Sequence, residues 1–264
     1  MEKMDDLIFN LTDDIKLELV WICAGTFMMG SPEDESGRKN NEKLHKVTLS
    51  KDFWIGKYSV TQEQYIAIMN ENPSFRDDGG KYPLEGVPWE DAMTFCKRLT
   101  ERVRNAGQLL PDGYEFSLPT EAQWEYACRA GTKTAYNFGD SIDKMKAKYD
   151  YNDLTHHPRR INKSDMTKKV GSYQPNAWGL YDMHGNVWEW CRDNCECDDD
   201  LEVITDTYRD GVVDPYCSKG LCYIMRGGSW AASAVECRAA SRDCYNPVDD
   251  ITYQGFRVAI VPVL

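Results

Sequence analysis

The half of the chain that follows Gly131 constrains the fold most, because its apolar residues keep neither helical nor strand periodicity over any long stretch. Gly, Asn, Asp and Pro are frequent there and interrupt each candidate strand after a few residues. The whole chain nevertheless carries eight Trp and fifteen Tyr in 264 residues. Rings in that number fill gaps that regular layers of structure leave open. The sequence therefore predicts a loop-rich fold with many buried aromatic side chains.

Regular elements are predicted mainly in the first half of the chain. Apolar spacing and capping residues indicate three helices, which are a helix from Thr61 through Met69, a helix over Trp89–Val103, and a helix that follows Thr120 with Gln123 completing a capping box. Alternation and short apolar runs indicate strands, which cover Ile15–Met29, Lys46–Leu49 and Phe53–Tyr58. No internal repeat or flexible linker divides the chain. We expect one α+β domain over residues 1–264.

The charge balance excludes two classes of partner. The net charge is −12, and no run of Lys or Arg is longer than a pair, so a nucleic acid or an anionic membrane surface is not expected. No stretch reaches the roughly 18 apolar residues of a membrane span. The first residues, 1–14, lack a signal-peptide pattern. The compartment stays open between the cytoplasm and a cell or virion surface reached by another route or after trimming.

The ten cysteines divide into groups. Cys23, Cys96 and Cys128 have apolar neighbours in sequence and are expected in the core. Five more lie in a segment, about 191–222, that has the character of an insertion and includes the acidic run 198–200; they are Cys191, Cys195, Cys197, Cys217 and Cys222. No His lies nearby and the usual two-residue spacer is missing, which disfavours zinc. Disulfides, another metal site or coincidence remain open.

Five motifs occur in a fixed order between about residues 20 and 262. They are Ala24–Ser31, Ile55–Gln62, Leu118–Ala127, Asn176–Trp190, and Arg226–Trp230 continued by Gly255–Arg257. Together they resemble the formylglycine-generating-enzyme, or sulfatase-modifying-factor, family. The resemblance implies that family's variant of the C-type lectin fold, which has a small twisted antiparallel sheet, flanking helices and long irregular loops. Because such folds host several activities, fold alone does not choose the function.

The catalytic members of that family set two requirements that can be compared with this sequence. The copper-dependent oxidases, which act on a sulfatase cysteine, hold the metal with two closely spaced thiolates after the Gly-Gly-Ser-aromatic motif. Here the corresponding segment, 231–238, contains only Cys237, and Cys244 follows seven residues later. An unconventional Cys237–Cys244 pair keeps the oxidase as an alternative. The iron-dependent sulfoxide synthases need three histidines on an additional domain, and this chain has neither the room nor the pattern.

The C-terminal region, about 226–257, resembles instead the variable region of proteins diversified by retroelements. Residues typical of a fixed scaffold alternate there with residues of no common chemistry. The resemblance implies buried anchors at Trp230, Arg238, Arg242, Phe256 and Arg257. It implies ligand contacts at Ala231, Ala232, Ser233, Val235, Glu236, Ser241, Asp243, Cys244, Tyr245, Asn246, Val248, Asp249, Ile251, Thr252 and Tyr253.

Codon chemistry gives this second resemblance a check. In such proteins the template codon AAC is altered at its adenines, so that NNC codons result and Lys, Gln, Glu, Met and Trp cannot be encoded. Fourteen of the fifteen positions obey this restriction, and Glu236 does not. About three exceptions are expected from ordinary composition. The pattern therefore favours diversification without establishing it.

The expected function is thus that of a non-catalytic, monomeric binding protein for a protein or cell-surface ligand, with no catalytic cofactor. Tyr245 and Tyr253 are expected to make the strongest contacts, because Tyr offers a large amphipathic area at low entropic cost. An accessory pseudoenzyme of the same family remains an alternative.

The family resemblance also implies a structural calcium site. Its ligands would be the carboxylates of Asp182 and Glu189 and the carbonyls of Gly185 and Val187, a set of hard oxygen donors within eight residues. The other possibility is that both carboxylates bind loop amides.

Overall fold

A central antiparallel sheet brings the two ends of the chain together. The computed structural model describes residues 4–75, 79–150, 166–197, 203–245 and 252–263, with residues 197, 203 and 204 by backbone only. Within those ranges, no helix combines the length and apolar character required to cross a membrane. The helices are α1 (Gln62–Met69), α2 (Trp89–Asn105) and α3 (Glu121–Arg129). The strands are β1 (Leu7–Asn10), β2 (Lys16–Ile22), β3 (Gly25–Met29), β4 (His45–Leu49), β5 (Phe53–Gly56), β6 (Tyr114–Ser117), β7 (Trp188–Cys197), β8 (Val203–Ile204), β9 (Val212–Val213), β10 (Cys222–Arg226), β11 (Arg242–Tyr245), β12 (Gln254–Gly255) and β13 (Ala259–Pro262).

The predicted helices are confirmed together with their start signals. Thr61 caps α1 and Thr120 caps α3, and in each case a Gln three residues later completes the capping box. The stretch Ile15–Met29, expected as one or two strands, forms two, because the chain leaves the central sheet after Ile22 and enters a different sheet at Gly25. The α+β class is as predicted.

The central sheet has the order β1-β2-β5-β13-β6, so the last strand lies between two earlier ones. Because successive strand residues point to opposite faces, this sheet divides the core in two. Trp54 and Ile260 contribute to the cluster that includes α1 and α2, whereas Ile55 and Ala259 contribute to the cluster around Trp124 of α3. The central sheet is therefore buried on both faces.

Two smaller sheets carry the remaining strands. One has the order β11-β10-β7-β12, with β8 paired to the end of β7, and the other has the order β3-β4-β9. Helix α3 contacts β3, β7 and β10, so it connects both small sheets. Any charged group on the buried face of α3 must consequently find its partner inside the protein.

Glu121 and Glu125 on α3 are such groups, and buried arginines neutralise them. Arg242 binds Glu121 through two nitrogens, at 2.7 and 2.5 Å. Arg226 binds Glu125 and lies 3.4 Å from Glu121, and Arg129 binds Glu125 at 2.8 Å. These five side chains are at most 4% exposed. We refer to them as the α3 ion network; it ties the first turns of α3 to β10 and β11.

Removal of one carboxylate from the α3 ion network leaves buried charge without compensation. We expect Glu125→Gln to lower the free energy of unfolding by about 3–5 kcal/mol, since Arg129 and Arg226 both lose a buried charged partner. Chemical denaturation measures the effect. The control is Glu18→Gln, which breaks a half-exposed pair with Lys57 and should cost no more than about 1 kcal/mol. Equal effects of the two substitutions would contradict the network's role.

Candidate functional site

The C-terminal region begins at a turn that only glycine can form. After β10, Gly227 and Gly228 adopt φ angles of 95° and 74°. A Cβ atom on Gly228 would lie 2.5 Å from the Sγ atom of Cys237. The turn lets the amide of Trp230 donate to the carbonyl of Asn186 at 2.9 Å. The double glycine therefore fixes where the following loop leaves the sheet.

The predicted anchors are all buried, at 4% exposure or less: Trp230, Arg238, Arg242, Phe256 and Arg257. The three arginines each bind a backbone carbonyl and also pair with a glutamate distant in sequence. Arg257 binds both carboxylate oxygens of Glu189, at 2.6 and 2.8 Å, in addition to the carbonyl of Gly56. The anchors are thus electrostatic as well as steric.

Arg238 joins the C-terminal region to the polar loop 33–43. Its guanidinium binds Glu42 through two nitrogens at 2.8 and 2.7 Å, and it also binds Glu35 and the carbonyl of Gly37. Burial disfavours an ionised Glu42, yet the hydrogen bonds and positive charge of Arg238, together with the hydrogen bond from Ser31, hold the pKa of Glu42 below its usual value. A Cβ atom on Gly37 would lie 2.5 Å from Val235. Loop 33–43 therefore borders the candidate surface, which the sequence did not indicate.

Most described positions of the predicted contact set are at least partly exposed. They are Ala231, Ser233, Val235, Glu236, Asp243, Tyr245, Thr252 and Tyr253. Four predicted contacts, Asn246, Val248, Asp249 and Ile251, lie outside the described residues. Residues 231–236 approach and enter a 3-10 helix over Val235–Cys237, and Asp243 and Tyr245 lie on β11.

Two predicted contacts need correction. Ala232 and Ser241 are 5% and 1% exposed, because both face the protein interior instead of solvent. Cys244 is partly exposed and disulfide-bonded, so it offers no free thiol. Glu236 has a local role as well, since its Oε2 accepts the amide of Ser233 at 2.7 Å and closes the turn before the 3-10 helix.

The two tyrosines singled out in the sequence rest on buried tryptophans. Tyr253 packs edge-on against Trp230 with centroids 5.3 Å apart, and Tyr245 packs against Trp190 at 5.8 Å. Tyr245 is paired across the strands with Tyr223, whose ring stacks on Trp89 at 4.1 Å. Tyr223 and Trp89 are half-buried and extend the aromatic surface, and the sequence pattern did not reveal them.

The predicted alternative pair, Cys237 and Cys244, is not a pair of free thiols. Cys237 is fully buried behind the double-glycine turn, and burial raises the pKa of its thiol far above the usual value. Its carbonyl accepts the Nδ1–H of His184 at 2.7 Å, while the Nε2 atom of His184 accepts the amide of Asn137 at 3.0 Å. Burial lowers the pKa of His184 to about 4. His184 is therefore a neutral residue that fixes the loop around Cys237.

Four cysteines of the inserted segment are buried: Cys191, Cys195, Cys217 and Cys222. The first three are free thiols. The side chain of Cys197 lies outside the described part. In the described ranges, no three His, Cys, Asp or Glu side chains are grouped so that they could hold a metal ion.

The predicted calcium ligands have unequal environments. The Oδ2 atom of Asp182 accepts the amide of Gly171 at 2.7 Å, and its buried Oδ1 atom has no hydrogen-bond partner among the described residues. Burial raises the pKa of Asp182 to about 6. Glu189, in contrast, accepts four hydrogen bonds, two from Arg257 and one each from Ser59 and Trp124. The four-ligand set therefore does not fit a cation in this arrangement, because Glu189 already neutralises Arg257.

Comparisons with known proteins agree with the motifs. The family described as "Sulfatase-modifying factor enzyme 1-like domain" matches residues 11–261. The formylglycine-generating enzyme of Thermomonospora curvata is 28% identical over 95% of this chain and 95% of its own length. The serine/threonine-protein kinase pkn1 of Chlamydia pneumoniae is 30% identical over 93% of this chain, which spans only 38% of the kinase.

A solved structure is similar over the whole described fold. Treponema denticola variable protein 1 superposes with a TM-score of 0.79 and 27% identity, covering 98% of this chain and all of that one. The predicted variant of the C-type lectin fold is thereby confirmed, as is the resemblance to a variable protein.

The environment of Glu189 leads to a prediction about calcium. With one carboxylate oxygen available at Asp182, we expect calcium to bind no more tightly than a Kd of about 1 mM. Isothermal titration of metal-free protein with CaCl2 measures this, and Asp182→Ala serves as the control for binding at this position. A micromolar Kd that Asp182→Ala abolishes would show that Glu189 leaves Arg257 to bind the metal.

Proposed function

The chain belongs to the family of sulfatase-modifying factor enzyme 1-like domains. Within that family, we propose that it is a non-catalytic ligand-binding protein. It would display a diversified C-terminal surface on a rigid scaffold, as the variable protein of a retroelement does. The ligand would be a protein or a cell-surface group.

One observation carries the proposal: buried ion pairs anchor the backbone of the C-terminal region to distant segments, whereas the partly exposed Glu236 side chain closes only a local turn. Arg238, Arg242 and Arg257 each bind a glutamate from another part of the chain. The exposed residues between them, such as Ser233 and Thr252, can therefore change without removing an anchor. A surface of this kind accepts many side chains on one backbone.

The aromatic contacts support a role in binding. Tyr245 and Tyr253 expose part of each ring while a buried tryptophan supports the other part. A ring held in this way loses little side-chain entropy when it contacts a ligand. The similarity to a solved variable protein supports the same proposal.

The alternative is the oxidase activity for which several relatives are named. It needs two thiolates that converge on copper, and here Cys237 is buried while Cys244 is engaged in a disulfide. An accessory pseudoenzyme is compatible with the same two facts. Evidence of diversification would distinguish the pseudoenzyme from the binding protein. A neighbouring reverse-transcriptase gene and a near-copy of the 3′ coding segment, with AAC at the variable codons, would favour the binding protein.

Tolerance of substitution tests the separation between anchors and surface. We expect the double variant Ser233→Tyr and Thr252→Tyr to change Tm by no more than about 4 °C, because neither side chain supports the loop. Arg238→Gln, in the same region, should cost about 3–5 kcal/mol because Glu42 is left buried and unpaired. Differential scanning calorimetry with guanidinium unfolding compares the two. Similar destabilisation by both would contradict the proposal.

The oxidase alternative has its own test. We expect no aldehyde when the copper-loaded protein is incubated with oxygen and a peptide that carries the sulfatase motif. We also expect Cys237 to resist iodoacetamide in the folded protein, because burial keeps its thiol protonated, whereas half-exposed Cys23 is alkylated. Mass spectrometry measures both. Formylglycine formation that disappears in Cys237→Ser would establish the oxidase instead.

A further inference from the structure

A cavity of about 270 Å³ lies where the inserted segment meets the central sheet and the start of α3. Apolar side chains supply much of its wall, and they are Leu49, Pro215, Tyr216, Val261 and Pro262. Lys51, Thr120, Gln123, Arg192 and Asp214 complete the lining. None of these residues belongs to the predicted variable surface. The volume and the apolar walls are those of a site for a small organic molecule.

The inserted segment, residues 191–222, forms one side of this cavity. Arg192, Asp214, Pro215 and Tyr216 all lie within the segment 191–222. The Arg192 guanidinium lies 5.1 Å from the centre of the Tyr216 ring. This contact joins the strand at the start of the insert to the loop near its end.

Hydrogen bonds to carboxylates fix that loop at both ends. Asp214 accepts the amide and the hydroxyl of Ser50, and its own amide donates to the carbonyl of Thr48 at 2.8 Å. Its φ angle of 46° is unusual for a residue other than glycine. Three residues later, the amide of Cys217 donates to Asp193 at 2.9 Å. The wall is therefore held in place before any ligand binds.

The charges of the cavity favour an anion. The carboxylate of Asp214 is turned toward Ser50, so both of its oxygens already accept hydrogen bonds. Lys51 and Arg192 also line the cavity, and neither forms an ion pair with any residue in the described part of the chain. Lys51 and Arg192 are therefore available to pair with an anionic ligand. Together with apolar walls, they match a ligand that has an apolar body and one carboxylate.

We propose that this cavity binds small apolar carboxylates. The apolar body packs against Leu49, Tyr216 and Val261, and the carboxylate lies between Lys51 and Arg192. This site shares no lining residue with the variable surface, so ligand binding at one can be tested without the other.

The test uses two probes of nearly equal shape, phenylacetate and phenylacetamide, titrated into the full chain and followed by NMR or calorimetry. We expect phenylacetate to bind with a Kd of about 1 mM or lower and the amide to bind at least about tenfold more weakly, because only the acid is attracted by the two cations. A higher salt concentration should weaken the binding of phenylacetate and leave the binding of phenylacetamide unchanged. Equal affinities, or no binding of the acid at about 10 mM, would overturn the proposal.

Variants locate the binding. Lys51→Gln and Arg192→Gln should each weaken phenylacetate by about threefold to tenfold, whereas Lys133→Gln, an exposed lysine outside this cavity, should have no effect. Melting temperatures of all three variants show whether the fold is kept, and the comparison of acid with amide on the unchanged protein needs no variant. Binding that is insensitive to both Lys51→Gln and Arg192→Gln places the ligand elsewhere and rejects the site.

Discussion

Buried pairs of arginine with glutamate are the interaction on which this structure depends. Arg226, Arg238, Arg242 and Arg257 are at most 2% exposed, and each binds a carboxylate that is also buried. A buried charge without its partner is far more costly than the pair. Each pair therefore admits only conformations in which two distant segments meet at a defined geometry. In a chain with long irregular loops, these pairs hold distant segments together, as backbone hydrogen bonds between strands do in regular sheets.

This mode of stabilisation explains how the C-terminal surface can differ in chemistry from its surroundings. The side chains that fix its backbone point inward and are neutralised there, so the outward-facing positions carry little of the folding energy. The family's fold is thus compatible with a catalytic loop in some members and a display surface in others, since both need a stiff frame.

The sequence predicted what local physics controls. Helices α1 and α3 follow from capping residues and apolar spacing, and the buried anchors follow from motif resemblance. The ion partners were not predictable, because Arg238 and Glu42 are 196 residues apart and no local pattern links them. Ala232 and Ser241 were assigned to the surface on the assumption that positions between anchors are exposed. An irregular loop has no fixed side-chain period, so this assumption fails at individual residues.

The inserted segment and the α3 ion network meet at Asp193. One of its oxygens accepts the first amide of α3, at Glu121, and the other accepts the amide of Cys217 in the insert. Burial, with the nearby charge of Glu121, raises the pKa of Asp193 to about 7, so its ionised form is costly in the folded protein. The hydrogen bonds from the amides of Glu121 and Cys217 offset part of that cost. Asp193 positions the start of α3, which carries Glu121 toward Arg242, and it also fixes the loop that forms the cavity wall. The same side chain thereby couples the frame of the C-terminal surface to the apolar cavity, although the two share no lining residue.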